Sequence, residues 1–178
     1  MSREELMMSK EIRNLLLLIL LLLTALPALA RGPDVAPVVN VEYQDECGVC
    51  HFAYQPGLLP MDSWQKVMAG LGDHFGENAE LDADMVKRLS EYLLRNAADD
   101  AAYPRSRKIM RSLGTERPLR ISHVPYFKAK HDEIPARLVQ GNDKVRSWSN
   151  CTACHTRAAK GSYSEDEVVI SGYGRWDD

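Results

Sequence analysis

The chain holds four cysteines, and they fall into two pairs of one pattern: Cys47-Gly-Val-Cys50-His51 and Cys151-Thr-Ala-Cys154-His155. A C-x-x-C-H run is the attachment signature of c-type haem. The spacing follows from the chemistry. Two thiols about one helical turn apart reach the two vinyl groups on one edge of a porphyrin, and the next residue presents its imidazole to the iron. The competing chemistries fit less well. A disulfide framework scatters its cysteines, and a thioredoxin-like pair needs a βαβ setting that the sequence does not show. Two Cys₂His sets have the ligand types for zinc. The repetition of the complete motif favours two covalently attached haem c groups on Cys47, Cys50, Cys151 and Cys154, with His51 and His155 as proximal iron ligands.

Each iron then has a sixth position, and its occupant decides what the haem can do. Beyond the two motif histidines the chain has His74, His123 and His131. His74 follows Trp64, Val67, Met68 and Leu71 at helical spacing, which predicts a helix capped by Asp62 or Ser63, with His74 on its apolar stripe and Gly76 as its stop. His131 shares a stripe with Phe127 and Ile134 in a helix that Pro125 opens and Pro135 closes. His74 and His131 are the candidate distal ligands. His123 lies two residues before Pro125, where the chain is biased to extended structure, and is held in reserve. Met61, Met68, Met85 and Met110 read as core residues. The simplest pairing joins His51 with His74 and His155 with His131; a crossed pairing satisfies the sequence as well.

The elements that must position these groups are mainly helical. ELDADMVKRLSEYLLRNAADD predicts a helix with Asp82 as N-cap, and RSRKIMRSLG another that stops at Gly114. SNCTACHTRAAKG predicts a helix carrying the second motif, with Ser149 or Asn150 as cap and Gly161 as stop. No hairpin signal stands out. The expected fold is mainly α, small, and built around two covalent haems. Residues 31–100 form the N-terminal haem region and 101–178 the C-terminal one.

Residues 1–30 are expected to be removed. The apolar run Leu15–Leu26 is followed by Ala28-Leu29-Ala30, the pattern of a secretory signal peptide, and is short of the ~20 residues a spanning helix needs. The leader has a neutral n-region, since Arg3, Lys10 and Arg13 are balanced by Glu4, Glu5 and Glu11. A start at Met7 or Met8 would make it positive. The expected mature chain begins at Arg31 and is periplasmic.

The net charge of −3 argues against nucleic acid as a partner. Charge is nonetheless uneven. Eight basic residues and one acid, Glu116, lie between Tyr103 and His131, whereas seven acids and three basic residues lie between Glu77 and Asp100. This is either solvated helix faces with arginines beside haem propionates or a docking surface for a redox protein.

The segments ECGVCHFAYQPGLLP, SWQKVMAGLGDHFGENAELD, ISHVPYFKAKHDEI and NCTACHTRAAKGSYSEDEVVI resemble the bacterial dihaem cytochromes c over about Glu46 to Ile170. The resemblance implies a small helical cytochrome c-like fold and bis-histidine ligation, with His74 and His131 on the distal positions and His123 on none. It also implies electron transfer, with a small oxygen-binding monohaem cytochrome c as one partner and a membrane cytochrome b as donor. The tail SGYGRWDD departs from the family pattern. The expected function is a periplasmic electron carrier and not an enzyme. The alternative is a dihaem peroxidase or reductase with one open iron. A haem-based sensor would need an output domain that is not visible.

Overall fold

In this computed structural model, residues 32–176 are described, together with Ile12, Asn14 and Leu15. The chain divides into two compact units, Met1–Arg31 and Gly32–Asp178. In the first, Ile12, Asn14 and Leu15 are helical. The rest of the expected signal segment lies outside the described residues. No helix among the described residues is long and apolar enough to cross a membrane.

The described part of the second unit is mainly α, as expected, with five helices joined by short 3₁₀ turns. Helix α1 is Val41–Cys47. Asn40 caps it, its side chain accepting from the Tyr43 amide at 2.8 Å, and Glu42 in the first turn complements the helix dipole. The helix ends at the first thiol, Cys47. Helix α2 is Met61–Ala69. It starts earlier than Asp62 or Ser63 would allow as caps. Pro60 stands at the N-cap, and the free Met61 amide donates instead to the Asp99 carboxylate at 2.7 Å.

Helix α2 also stops earlier than the apolar spacing predicts, at Gly70 and not at Gly76. The Leu71 carbonyl is taken by the amide of Ala79 at 2.9 Å. The chain therefore turns back on itself through a 3₁₀ turn, Leu71–Asp73, and His74 lies beyond the helix.

Helix α3, Ala83–Arg95, matches expectation at its start: Asp82 accepts from the Met85 amide at 2.9 Å. It packs on α2 through Leu89, Tyr92 and Leu93. Burying Leu89 or Leu93 contributes about 1.5–3 kcal/mol each, and both are essentially inaccessible. Helix α4, Pro104–Leu113, opens on proline and stops at Gly114, whose φ of 52° is left-handed. Helix α5, Pro125–His131, also opens on proline and packs on α4, but ends at His131 itself, before Ile134 and Pro135.

The second motif departs from the helix expected of it. Two 3₁₀ turns, Cys151–Ala153 and Ala158–Lys160, take its place, the latter ending at left-handed Gly161. The reason lies in the tail. Val169–Ile170 (β1) and Gly174–Arg175 (β2) form an antiparallel hairpin that the sequence did not announce. The Ala153 and Cys154 carbonyls, which an α-helix would use internally, accept instead from the amides of Ser171 (3.1 Å) and Val169 (3.0 Å). The hairpin holds Val168 and Ile170 in a small core with Val139 and Val145, against Trp148, Cys154 and Trp176. The main core gathers Val35, Tyr43, Leu58, Leu59, Trp64, Leu89 and Ile109, among others.

Candidate haem sites

The N-terminal motif begins where α1 ends, so Cys47 is held by a helix and Cys50 and His51 by the turn that follows. Cys50 and His51 are exposed. The His51 Nδ1–H donates to the Phe52 carbonyl at 2.8 Å. A carbonyl can only accept, so this bond leaves Nε2 with its lone pair free for a metal. Tyr54 stacks on the imidazole with ring centres 5.0 Å apart. His74 lies on a tight turn in which its amide donates to the Glu77 carbonyl at 2.7 Å, followed by left-handed Phe75 (φ 62°) and Gly76 (φ 101°). The guanidinium of Arg120 sits 3.9 Å above the Phe75 ring.

The C-terminal motif is more enclosed. His155 and His131 face a cavity of about 310 Å3, lined also by Cys151, Cys154, Phe127 and Tyr163. That volume lies within the ~300–1,000 Å3 of small-molecule and cofactor pockets. His131 closes α5, and its Nδ1–H donates to the Phe127 carbonyl one turn back at 2.7 Å, again freeing Nε2. Phe127 stacks on it at 3.9 Å and Trp148 meets it edge-on at 5.8 Å. Tyr163 meets His155 edge-on at 5.1 Å. The His155 Nδ1 is buried and has no hydrogen-bond partner among the described residues.

The electrostatics suit ligands and not acids. Burial first, and His131 second, pushes His155 down to about 4. His131 is lowered chiefly by burial, and His74 by burial and then by His51. These three imidazoles are therefore neutral near pH 7, as metal binding requires. Burial pushes the Cys47 thiol up to about 11 and the Cys151 thiol to about 12, and raises Cys154 too. Thiols so held are poor thiolate nucleophiles, which argues against a disulfide-exchange pair.

The distances between imidazoles carry the most information. The ring centres of His51 and His74 are 6.1 Å apart, and those of His131 and His155 are also 6.1 Å apart. A metal–imidazole bond is about 2.0 Å. Adding roughly 1.1 Å from nitrogen to ring centre on each side puts two trans imidazoles on one metal about 6 Å apart. Both pairs fit a haem iron between them. The structure thus brings together the straight pairing and not the crossed one. His123 ends the 3₁₀ turn Ile121–His123, is exposed, and joins neither pair. No group of three or more His, Cys, Asp and Glu among the described residues is gathered as a bare zinc ion would need. Met68 is buried and Met61, Met85 and Met110 pack against the same core.

A family model for dihaem cytochrome c matches residues 43–163. The chain belongs to the dihaem cytochrome c family. Its solved relatives agree. A dihaem cytochrome type c from Shewanella baltica is 44% identical, with a TM-score of 0.65, the match covering 78% of this chain and 98% of that one. The dihaem cytochrome c of Rhodobacter sphaeroides is also 44% identical, with a TM-score of 0.64, over 72% of this chain and 100% of that one. No curated protein matches the chain. As a dihaem cytochrome c the protein carries two c-type haems, and the family's function is haem-based electron transfer.

Several residues around these sites gave no signal in the sequence. Phe127 is the exception, legible one turn before His131 on the same stripe. Trp148 was not legible, because it reaches His131 through a tertiary contact, and Tyr54 and Tyr163, three and eight residues after His51 and His155, meet those rings through turns that carry no sequence signal.

Proposed function

We propose that this dihaem cytochrome c is a periplasmic electron carrier whose two irons are each held by two histidines. Cys47 and Cys50 attach one haem, ligated by His51 and His74. Cys151 and Cys154 attach the other, ligated by His155 and His131. The equal 6.1 Å separation of the two imidazole pairs supports this reading most directly. Held by His51 with His74 and by His155 with His131, neither iron would offer a substrate site, and without a methionine ligand low potentials would be expected. The leader delivers the chain to the periplasm. There it exchanges electrons with redox proteins, a small oxygen-binding monohaem cytochrome c and a membrane cytochrome b donor among them.

Carbon monoxide provides the test. The reduced protein should keep a six-coordinate low-spin spectrum under carbon monoxide at both haems. An adduct at either haem would put a peroxidase or reductase with one open iron ahead of the carrier.

A further inference from the structure

The two haem sites differ in the charge set beside them. Five charged residues line the C-terminal cavity, and four of them, Lys130, Glu165, Asp166 and Arg175, are exposed. The fifth is Arg105, whose side chain is only 19% exposed. It lies in the first turn of α4, where its own amide donates to the Asp34 carbonyl at 3.1 Å. The guanidinium is fixed from several sides. Its Nη2 donates to the Tyr163 carbonyl at 2.9 Å and meets the Asp34 carboxylate at 3.3 Å. The ring of Tyr163 lies 5.3 Å from it and that of Tyr126, on α5, 5.8 Å. Tyr163 also meets His155 edge-on, so one ring touches both the guanidinium and the proximal imidazole.

Asp34 does not cancel this cation at the iron ligands. Beyond the effect of burial, the Arg105 charge lowers both His131 and His155, whereas Asp34 opposes it at His155 alone and by less. The positive end of the ion pair is therefore the end nearer the imidazoles. The N-terminal pair has a counterpart in Arg120, which lowers His74 after burial and His51. Arg120 is exposed, so water and salt screen it. Val49, Cys50 and His51 are exposed as well, while Cys151, Cys154 and His155 are half-buried. Ligand strength does not separate the sites in the same way. Each pair has one imidazole that donates to a carbonyl, His51 to Phe52 and His131 to Phe127.

Reduction adds one electron to the iron and removes one positive charge from the haem core. A buried cation and a drier site both favour the less charged, ferrous state. We propose that Arg105 makes the C-terminal haem the higher-potential one of the two, so that electrons from a reduced donor protein enter at the exposed N-terminal haem and come to rest at the C-terminal one. In the internal step one electron leaves the ferrous iron of the N-terminal site and reduces the ferric iron of the C-terminal site. No bond forms or breaks and no proton moves. The inference rests on the ligand assignment proposed above.

Stepwise reductive titration of the oxidised holoprotein tests it, with each low-spin haem followed by its electron paramagnetic resonance signal. H131A, which removes the distal ligand of the C-terminal iron, identifies the signal of that haem. In the unaltered protein the C-terminal signal should disappear first. R105Q should shift the equilibrium between the two haems about tenfold toward the N-terminal one, which is about 59 mV for one electron. R105K, which keeps the charge, should shift it much less. If R105Q does not retain haem, D34N carries the test with the opposite sign: it takes the counter-charge from the same cation and should raise the C-terminal potential. The proposal is overturned if the N-terminal signal disappears first, if R105Q keeps two low-spin haems with an unchanged difference in potential, or if D34N leaves that difference unchanged. Equal shifts in R105Q and R105K would mean that packing and not charge is at work, and would overturn it too. A high-spin haem in the unaltered protein would instead defeat the ligand assignment, so the two failures are distinguishable.

Discussion

The two imidazole pairs share a separation and differ in nearly everything else. At the N-terminal site the rings are close to parallel, 21° apart; at the C-terminal site they are close to perpendicular, 78° apart. His51 is exposed and His74 sits on a turn, whereas His131 ends a helix and faces a lined cavity with His155. Equal spans on unequal scaffolds imply that the span is the common requirement of both sites. The scaffold and the ring orientation are what the two sites are free to vary. The C-terminal site is preformed by packing against Phe127, Trp148 and Tyr163. The N-terminal site relies more on its backbone turn.

The largest expected effects come from removing one proposed distal ligand at a time. H74A should open the N-terminal iron only, and H131A the C-terminal iron only. In each case the altered haem becomes high-spin, binds carbon monoxide when reduced, and rises in potential, because a strong imidazole donor to ferric iron is lost. The ring angles sharpen this. Parallel imidazoles split the iron d orbitals they overlap with, and perpendicular ones leave them nearly degenerate. The oxidised protein should therefore give two unlike low-spin electron paramagnetic resonance signals. H74A should abolish the rhombic one and H131A the strongly anisotropic one. H123A should leave both signals and both optical spectra as they are. If H123A opens an iron and H131A does not, the C-terminal pair is wrongly assigned.

How much of this was legible in the sequence follows the same division. The start of α3 at its Asp82 cap, the glycine stop of α4 and the opening proline of α5 are local signals, and the structure carries all three. The shape of the N-terminal ligand turn was not legible. The stripe from Trp64 to Phe75 has helical period, but Leu71 gives its carbonyl to Ala79, a partner eight residues on, so the helix cannot continue. The second motif misled for a similar reason. Its carbonyls are captured by a hairpin whose two-residue strands are too short for alternation to register. The SGYGRWDD tail, which fits no family pattern, turns out to supply β2 and to bring Trp176 against the small core.

A second contrast is electrostatic, and of intermediate size. Arg107, Lys108 and Arg111 project from α4 into solvent. Arg105 on the same helix does not belong with them, because it pairs with Asp34 at 3.3 Å and donates to the Tyr163 carbonyl at 2.9 Å. Its role is to tie the start of the second unit to the C-terminal site. If the exposed three steer a redox partner, the triple reversal R107E/K108E/R111E should slow association with a monohaem cytochrome c about tenfold or more at low salt. The difference should close as salt rises, since exposed charges are screened within ~10 Å at 0.1 M. Dissociation should change less. Association that is insensitive to salt in the unaltered protein would mean that these are solvated faces only.

The smallest expected effect separates the two sites most cleanly. Phe75 pays a left-handed conformation of about 1–2 kcal/mol that a glycine would not. Its ring touches His74 at 4.8 Å between centres and carries Arg120 on its face. A cation–π contact at an exposed site is worth about 0.5–1 kcal/mol, so Arg120 offsets much of the strain in the turn that presents His74. R120Q should therefore lower the melting temperature by only about 1–4 °C, the shift expected for that energy in a chain of this size. Its signature should be local. The rhombic signal of the parallel pair should broaden, because the His74 ring is less well oriented, while the signal of the perpendicular pair stays sharp. A change at the C-terminal signal would contradict the independence of the two scaffolds. No change at either would show that the turn is held by its own bond from the His74 amide to Glu77, and that Arg120 contributes nothing to the orientation of the ligand.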